Sequence, residues 1–268
     1  MKQLASFAGI EWIASGVRPS TPETTASVAH CVPPIYPAYA KLLHPMYEDL
    51  AVQSDDVTWQ EAERGAPTTA DAPKNPATRF MQEVIGRSTL VYGGAEPHSR
   101  PVRVRWAQLA RRLGLPFVPT LSAWSYTRQF GGGSWPRHLI GPEEGNLAGT
   151  NLDALVSVLR RHTAVDRCLF HVWLLATLQW KEDLLFEGSL DDALLFPDGV
   201  PGVRLTPTHW FPEDRAWFVC TDYDLTFTLI GGPESLVRDL LDHGELECVP
   251  VHPETRVDFD ADQADSRQ

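Results

Sequence analysis

Asp222 and Asp224, flanking Tyr223, are the nearest approach to a paired carboxylate in the chain. In extended backbone, residues two apart point the same way, so both carboxylates could hold one divalent cation. The same spacing suits a hairpin turn, where an aspartate bonds its own backbone. A hard cation takes about six oxygen ligands, and Glu143 and Glu144 could join only if the fold brings them close. Asp222 and Asp224 are therefore the candidate metal ligands, with a turn as the competing reading.

A denser polar and aromatic group runs from His209-Trp210 through Asp214-Arg215 to Trp217. Tryptophan and arginine anchor recognition surfaces, yet an ion pair packed between tryptophans can also simply order the entry to a strand. Trp135-Pro136-Arg137-His138 follows three glycines and reads as a loop. Loops often carry function, although Trp135 could instead pin this one to the body. The candidate binding residues are therefore Trp135, Arg137, His209, Trp210, Asp214 and Arg215. Were the chain an enzyme, His209 would be its acid or base beside Asp222 and Asp224. His171, inside an apolar run, reads as a hydrogen-bonded core histidine.

The familiar catalytic signatures are missing. There is no G-x-S-x-G elbow, no HExxH and no Walker A lysine. Gly131–Gly133 has neither the preceding strand nor the following helix of a dinucleotide site, and reads as a turn. The cysteines, Cys31, Cys168, Cys220 and Cys248, are scattered without a CxxC pair, so structural zinc is not expected. No cofactor is expected. A net charge of -12 opposes a broad nucleic-acid or anionic-membrane surface and permits a cationic partner.

The elements that must position these groups are read from periodicity. An α+β fold is expected, with a mixed or antiparallel sheet, a few packed helices and long irregular loops. Ser27–Val32 reads as a short strand stopped by Pro33-Pro34, and Tyr36–Pro45 as a short helical or turn-rich segment. Trp106, Leu109, Ala110 and Leu113 fall at helical spacing before Gly114. A second helix, capped by Asn151, carries Leu152, Leu155, Val156 and Leu159 on one stripe. Cys168–Thr177 is apolar enough for a strand buried on both faces. Ala216–Thr221 and Leu225–Ile230 read as paired strands, Ser235–Asp242 as a helix stopped by Gly244, and Glu247–Val251 as a returning strand. One domain over 1–257 is expected, with a mobile insert at 49–76 and a disordered acidic tail from 258 to 268.

Several phrases occur together: Val32-Pro33-Pro34 with Ala38–Pro45, Val104–Ala110, Leu159 with His162-Thr163, and Trp210–Trp217 followed by Thr221-Asp222 and Gly231-Gly232. Their combination resembles a family of intracellular, mainly actinobacterial proteins to which no activity is assigned. The resemblance spans most of the chain outside 49–76 and the tail. It implies an independently folding cytoplasmic protein and carries no site residues.

With a composition of 43% hydrophobic residues and no run long enough for a membrane span, the chain reads as a globular bacterial cytoplasmic protein. The expected function is non-catalytic binding of a protein partner, of an immunity-like or regulatory kind, with no nucleic acid and no membrane. The alternative is a small-ligand or metal-assisted hydrolase or transferase near Asp222 and Asp224.

Overall fold

The computed structural model describes residues 1–19, 25–52, 57–64, 100–197 and 199–265. They form an α+β fold whose sheets are antiparallel throughout. The chain divides into two compact units, one of Met1–His44, Val118–Thr120 and Glu143–Gln268, the other of Pro45–Phe117 and Leu121–Pro142. Most of the expected insert at 49–76 lies outside the described residues.

The first unit is built on eight strands: β1 (Lys2–Gln3), β2 (Ala38–Leu43), β6 (Cys168–Val172), β7 (Leu184–Gly188), β8 (His209–Pro212), β9 (Phe218–Cys220), β10 (Phe227–Gly232) and β11 (Cys248–Val251). Their order across the sheet is β1-β7-β6-β8-β9-β10-β2-β11. Helices cover both faces, which is why β6 and β10 are apolar almost without alternation. One face packs on α6 (Gly149–Arg160) and α7 (Glu234–Leu241), whose inward residues include Leu155, Leu159, Leu236 and Leu240. The other face meets α1 (Glu11–Gly16), where Trp12 stands edge-on to Phe211 and Phe218 at 5.1 and 5.6 Å.

Two segments differ from the sequence reading. Residues 28–31 form a helical turn, α2 (Val28–Cys31), not a strand. Ser27 N–H donates to His30 Nδ1 at 3.0 Å, so a local side-chain cap outcompetes the β preference of the valines. Ala38–Leu43 is a strand and not a helical segment, because β10 and β11 pair with it on both sides. That pairing is long-range and leaves no local signature. It also means that the β-β-α-β unit of the last third closes on β2: β11 pairs with β2, not with β10.

Other expectations hold with trimmed ends. Asn151 falls inside the first turn of α6 rather than capping it. The strand read over Cys168–Thr177 ends at Val172, and Leu174–Ala176 is a short 3-10 turn. The tail is not featureless: Ala261–Asp265 forms α8 and Ala261 is buried. Lys41 is fully buried on β2, with Nζ 4.1 Å from the Phe227 ring centroid and donating to Pro119 O at 3.1 Å. Burial brings its ammonium down to about 7.

The second unit holds a small sheet in the order β4-β3-β5, from β3 (Met46–Asp49), β4 (Pro101–Val104) and β5 (Leu139–Ile140). Its helices are α3 (Trp59–Arg64), α4 (Trp106–Arg112) and α5 (Ala123–Thr127). Gly114, with φ 69°, ends α4 as its position predicts. Among the described residues no helix is long and apolar enough to cross a membrane.

Candidate functional site

The expected binding residues fall in both units, Trp135 and Arg137 in the second and His209, Trp210, Asp214 and Arg215 in the first. Trp135 has 0% exposure; its Nε1–H donates to Thr127 Oγ1 at 2.9 Å and its ring meets Tyr126 and Phe130. Trp210, at 2%, lies in the main core against Phe170 and Trp217. Both are packing residues and offer a partner nothing to grip, which corrects the reading of them as surface anchors. The reason is physical: a tryptophan beside a strand buries more area in a core than any exposed role returns.

Arg137 is exposed, and the loop around it is stitched by Arg137 N–H to Val57 O at 2.8 Å. Asp214 and Arg215 sit in the β8–β9 hairpin. Asp214 Oδ1 accepts from Ala216 N–H at 3.0 Å, and the Arg215 guanidinium covers the Trp12 ring at 4.5 Å. His209 begins β8 at its far end. At about 3.3 Å per residue, roughly 16 Å of strand separates it from Asp214. The cluster seen in sequence is therefore split.

What the fold gathers is at His209's end of the main sheet. His209 and His171 are direct partners across the β6–β8 ladder, on the face opposite Trp210. Their Nδ1 atoms are 3.0 Å apart, with the ring planes only 15° from parallel and the centroids 5.3 Å apart. The centroid separation is about the nitrogen gap plus two ring radii, so the rings meet head-on, nearly coplanar. One proton lies between the two nitrogens. His171 Nε2 meets Asp183 Oδ2 at 2.9 Å, and Asp183 Oδ1 accepts from Leu174 N–H at 3.0 Å.

Burial pushes the Asp183 carboxyl up, but its bonds to His171 and Leu174 outweigh this and hold it below the usual range. An ionised Asp183 requires His171 Nε2 to carry the hydrogen. With His171 neutral, its Nδ1 then accepts and His209 Nδ1 donates. His209 Nε2 is left as a lone pair with no hydrogen-bond partner among the described residues. Burial and the adjacent His171 keep His209 neutral down to about 3. With His171 neutral the relay can pass a proton from His209 toward Asp183, and it leaves His209 Nε2 as an acceptor.

Directly across the next ladder step, His209 pairs with Cys220 of β9, and the chain then turns through Asp222-Tyr223-Asp224. Leu225 N–H bonds Asp222 O at 3.1 Å, and Asp222 Oδ1 takes Tyr223 N–H at 2.7 Å. The segment is a turn, so the parallel presentation expected of an extended strand is absent. Glu143 and Glu144 do reach it: Gly145 N–H donates to Leu225 O at 2.9 Å. A Cβ on Gly145 would stand 2.6 Å from Tyr223 Cα. Trp173 lies 5.5 Å from the Tyr223 ring.

Asp222, Asp224 and Glu143 make no ion pair among the described residues. Burial, then Asp224, lifts the half-buried Asp222 to about 6. Asp224 moves the same way, but it is exposed and water screens it, so Asp222 carries the effect. Burial, Asp224, Asp222 and Glu144 together raise the Tyr223 phenol to about 12. The local potential is strongly negative. No group of three or more histidine, cysteine, aspartate or glutamate side chains placed to hold a metal occurs among the described residues.

Sequence reading missed Asp183, Trp173 and the joining of Glu143-Glu144 to the turn. No local signal marks them, since 38 residues separate His171 from His209 and only strand register unites them. No family model, curated protein or solved structure matches the chain.

Proposed function

We propose that the protein is a binding protein whose acidic and aromatic end of the main sheet docks a basic segment of a protein partner. The observation that carries this reading is the pinning of the 143–145 and 222–225 segments together. It crowds Asp222, Asp224 and Glu143, which make no ion pair among the described residues, around Tyr223 and Trp173. Crowded carboxylates with a raised Asp222 are held at an electrostatic cost that an arriving cation relieves. Aromatic faces beside them add cation–π attraction for an arginine or lysine, and His209 Nε2 adds one more acceptor. An immunity-like or regulatory role is the kind of task such a surface serves.

The test is fluorescence anisotropy with a labelled hexa-arginine peptide. Asp222→Asn with Asp224→Asn is expected to weaken binding at least ~10-fold. Asp166→Asn with Asp242→Asn, two exposed aspartates elsewhere on the same unit, should change it little. Equal losses from both pairs would reduce the attraction to net charge and sink the reading. The affinity should also fall as pH drops through about 6, where Asp222 takes up a proton. The sign for stability is opposite. A carboxyl with a raised folded pKa stabilises below its unfolded value and loses that contribution as pH rises through about 6.

A second reading, acid–base catalysis at His209, is favoured by the Asp183–His171–His209 relay alone. It expects turnover of a small ester or amide panel to fall in Asp183→Ala and His209→Gln with the fold intact. No turnover by the wild-type protein across that panel removes it.

A further inference from the structure

The first unit also holds a positive group that makes no ion pair among the described residues. The segments 174–182 and 200–206 are hydrogen-bonded together: Leu178 N–H to Gly202 O at 2.9 Å, Arg204 N–H to Ala176 O at 2.9 Å, and a bridge between Thr177 and Val203. Arg204 folds back over this pair, and its Nη2 donates to Leu175 O at 3.1 Å. Trp180 returns to the same turn, with its backbone N–H on Thr177 Oγ1 at 3.1 Å. Both residues are therefore tethered within one turn of Thr177.

Three observations are unexplained by folding alone. Arg204 is half-buried and makes no ion pair among the described residues, in a chain of net charge -12. Burial moves its guanidinium below the usual value. Arg204 Nε and Trp180 Nε1 are both buried N–H donors without an acceptor. Leaving such a donor unmatched is unfavourable. Trp180 also holds φ at 50°, a strained setting for a residue with a Cβ. Strain of this kind persists where the surroundings impose it, and it concentrates at ligand sites.

We infer that Arg204 and Trp180 form a binding site for an oxyanion, a phosphate or carboxylate group. A guanidinium offers its Nε and Nη hydrogens as a planar fork to two oxygens of one such group, and the indole N–H supplies a further donor. The charge and the unmatched donors are satisfied together by one ligand. This site takes the opposite charge to the acidic surface proposed above, and Arg204 figures among none of the groups that shift Asp222 or Asp224.

The experiment is a titration of the 15N-labelled full chain with inorganic phosphate and, separately, acetate, read at the Trp180 indole N–H and assigned with Trp180→Phe. A saturable shift of that resonance is expected with at least one anion, while the Trp217 indole, bonded to Thr163 Oγ1, stays put. Whichever anion saturates at lower concentration identifies the phosphate or the carboxylate source. Arg204→Met should weaken the shift at least ~10-fold; Arg204→Gln serves should that variant fail to fold. The absence of a shift at tens of millimolar for both anions would overturn the site. So would an equal shift in the Arg204 variants.

Discussion

Gly145→Ala is expected to destabilise the protein by more than about 3 kcal/mol and to weaken hexa-arginine binding in whatever fraction still folds. Two effects add. Gly145 has φ 64°, a left-handed setting that costs an alanine roughly 1 kcal/mol. The new Cβ would also lie 2.6 Å from both Tyr223 Cα and Tyr223 O, and 2.8 Å from Leu205 Cδ1. The first two contacts are backbone, which cannot swing aside as a side chain does. Relief requires the 143–145 segment to lift away from the 222–225 turn, and this breaks the Gly145–Leu225 hydrogen bond that gathers the carboxylates. Gly133→Ala is the control. Its φ is 71°, but nothing lies within 4 Å of a Cβ there, so only the backbone penalty remains. Urea unfolding of the two variants should differ by about 2 kcal/mol or more. Equal midpoints would show that the close approach does not hold these segments together.

Trp210→Ala and Trp135→Ala should each cost about 3–5 kcal/mol of stability. Each ring is fully enclosed and makes aromatic contacts beyond its buried area, and truncation leaves a cavity that the surrounding strands cannot close. Trp135→Ala also removes the indole N–H that Thr127 Oγ1 accepts, leaving that hydroxyl its bond to Ala123 O. Were these tryptophans surface anchors, truncation would lower partner affinity and spare the fold. Arg137→Ala and Arg215→Ala mark the contrast. Both residues are exposed, and each change should move the unfolding midpoint by under about 1 kcal/mol. A Trp210→Ala protein as stable as the parent would contradict its place in the core.

The pairing of Cys168–Val172 with its neighbours illustrates how far local pattern reaches. The apolar run over Cys168–Thr177 announces a strand covered on both faces, and its first half, Cys168–Val172, is one. The same run cannot say that its neighbours are β7 and β8, or that His171 therefore faces His209. Trp135 and Trp210 show the complementary difficulty. Tryptophan suits both a core and a recognition surface, and residue type alone does not choose between them.

From the chain alone come the helices read over 104–113 and 235–242, the paired strands read over 216–221 and 225–230, each found with slightly shifted ends, and the absence of the usual catalytic motifs. Periodicity and end-capping are properties of a dozen neighbouring residues, so they survive without knowledge of the rest. Tertiary structure alone made 38–43 an interior strand, sent both tryptophans inward and brought Glu143-Glu144 to the Asp222 turn. It also set Asp183, His171 and His209 in line. Those outcomes depend on which strand finds which, a choice made by burial summed over the whole sheet and written in no single stretch of sequence.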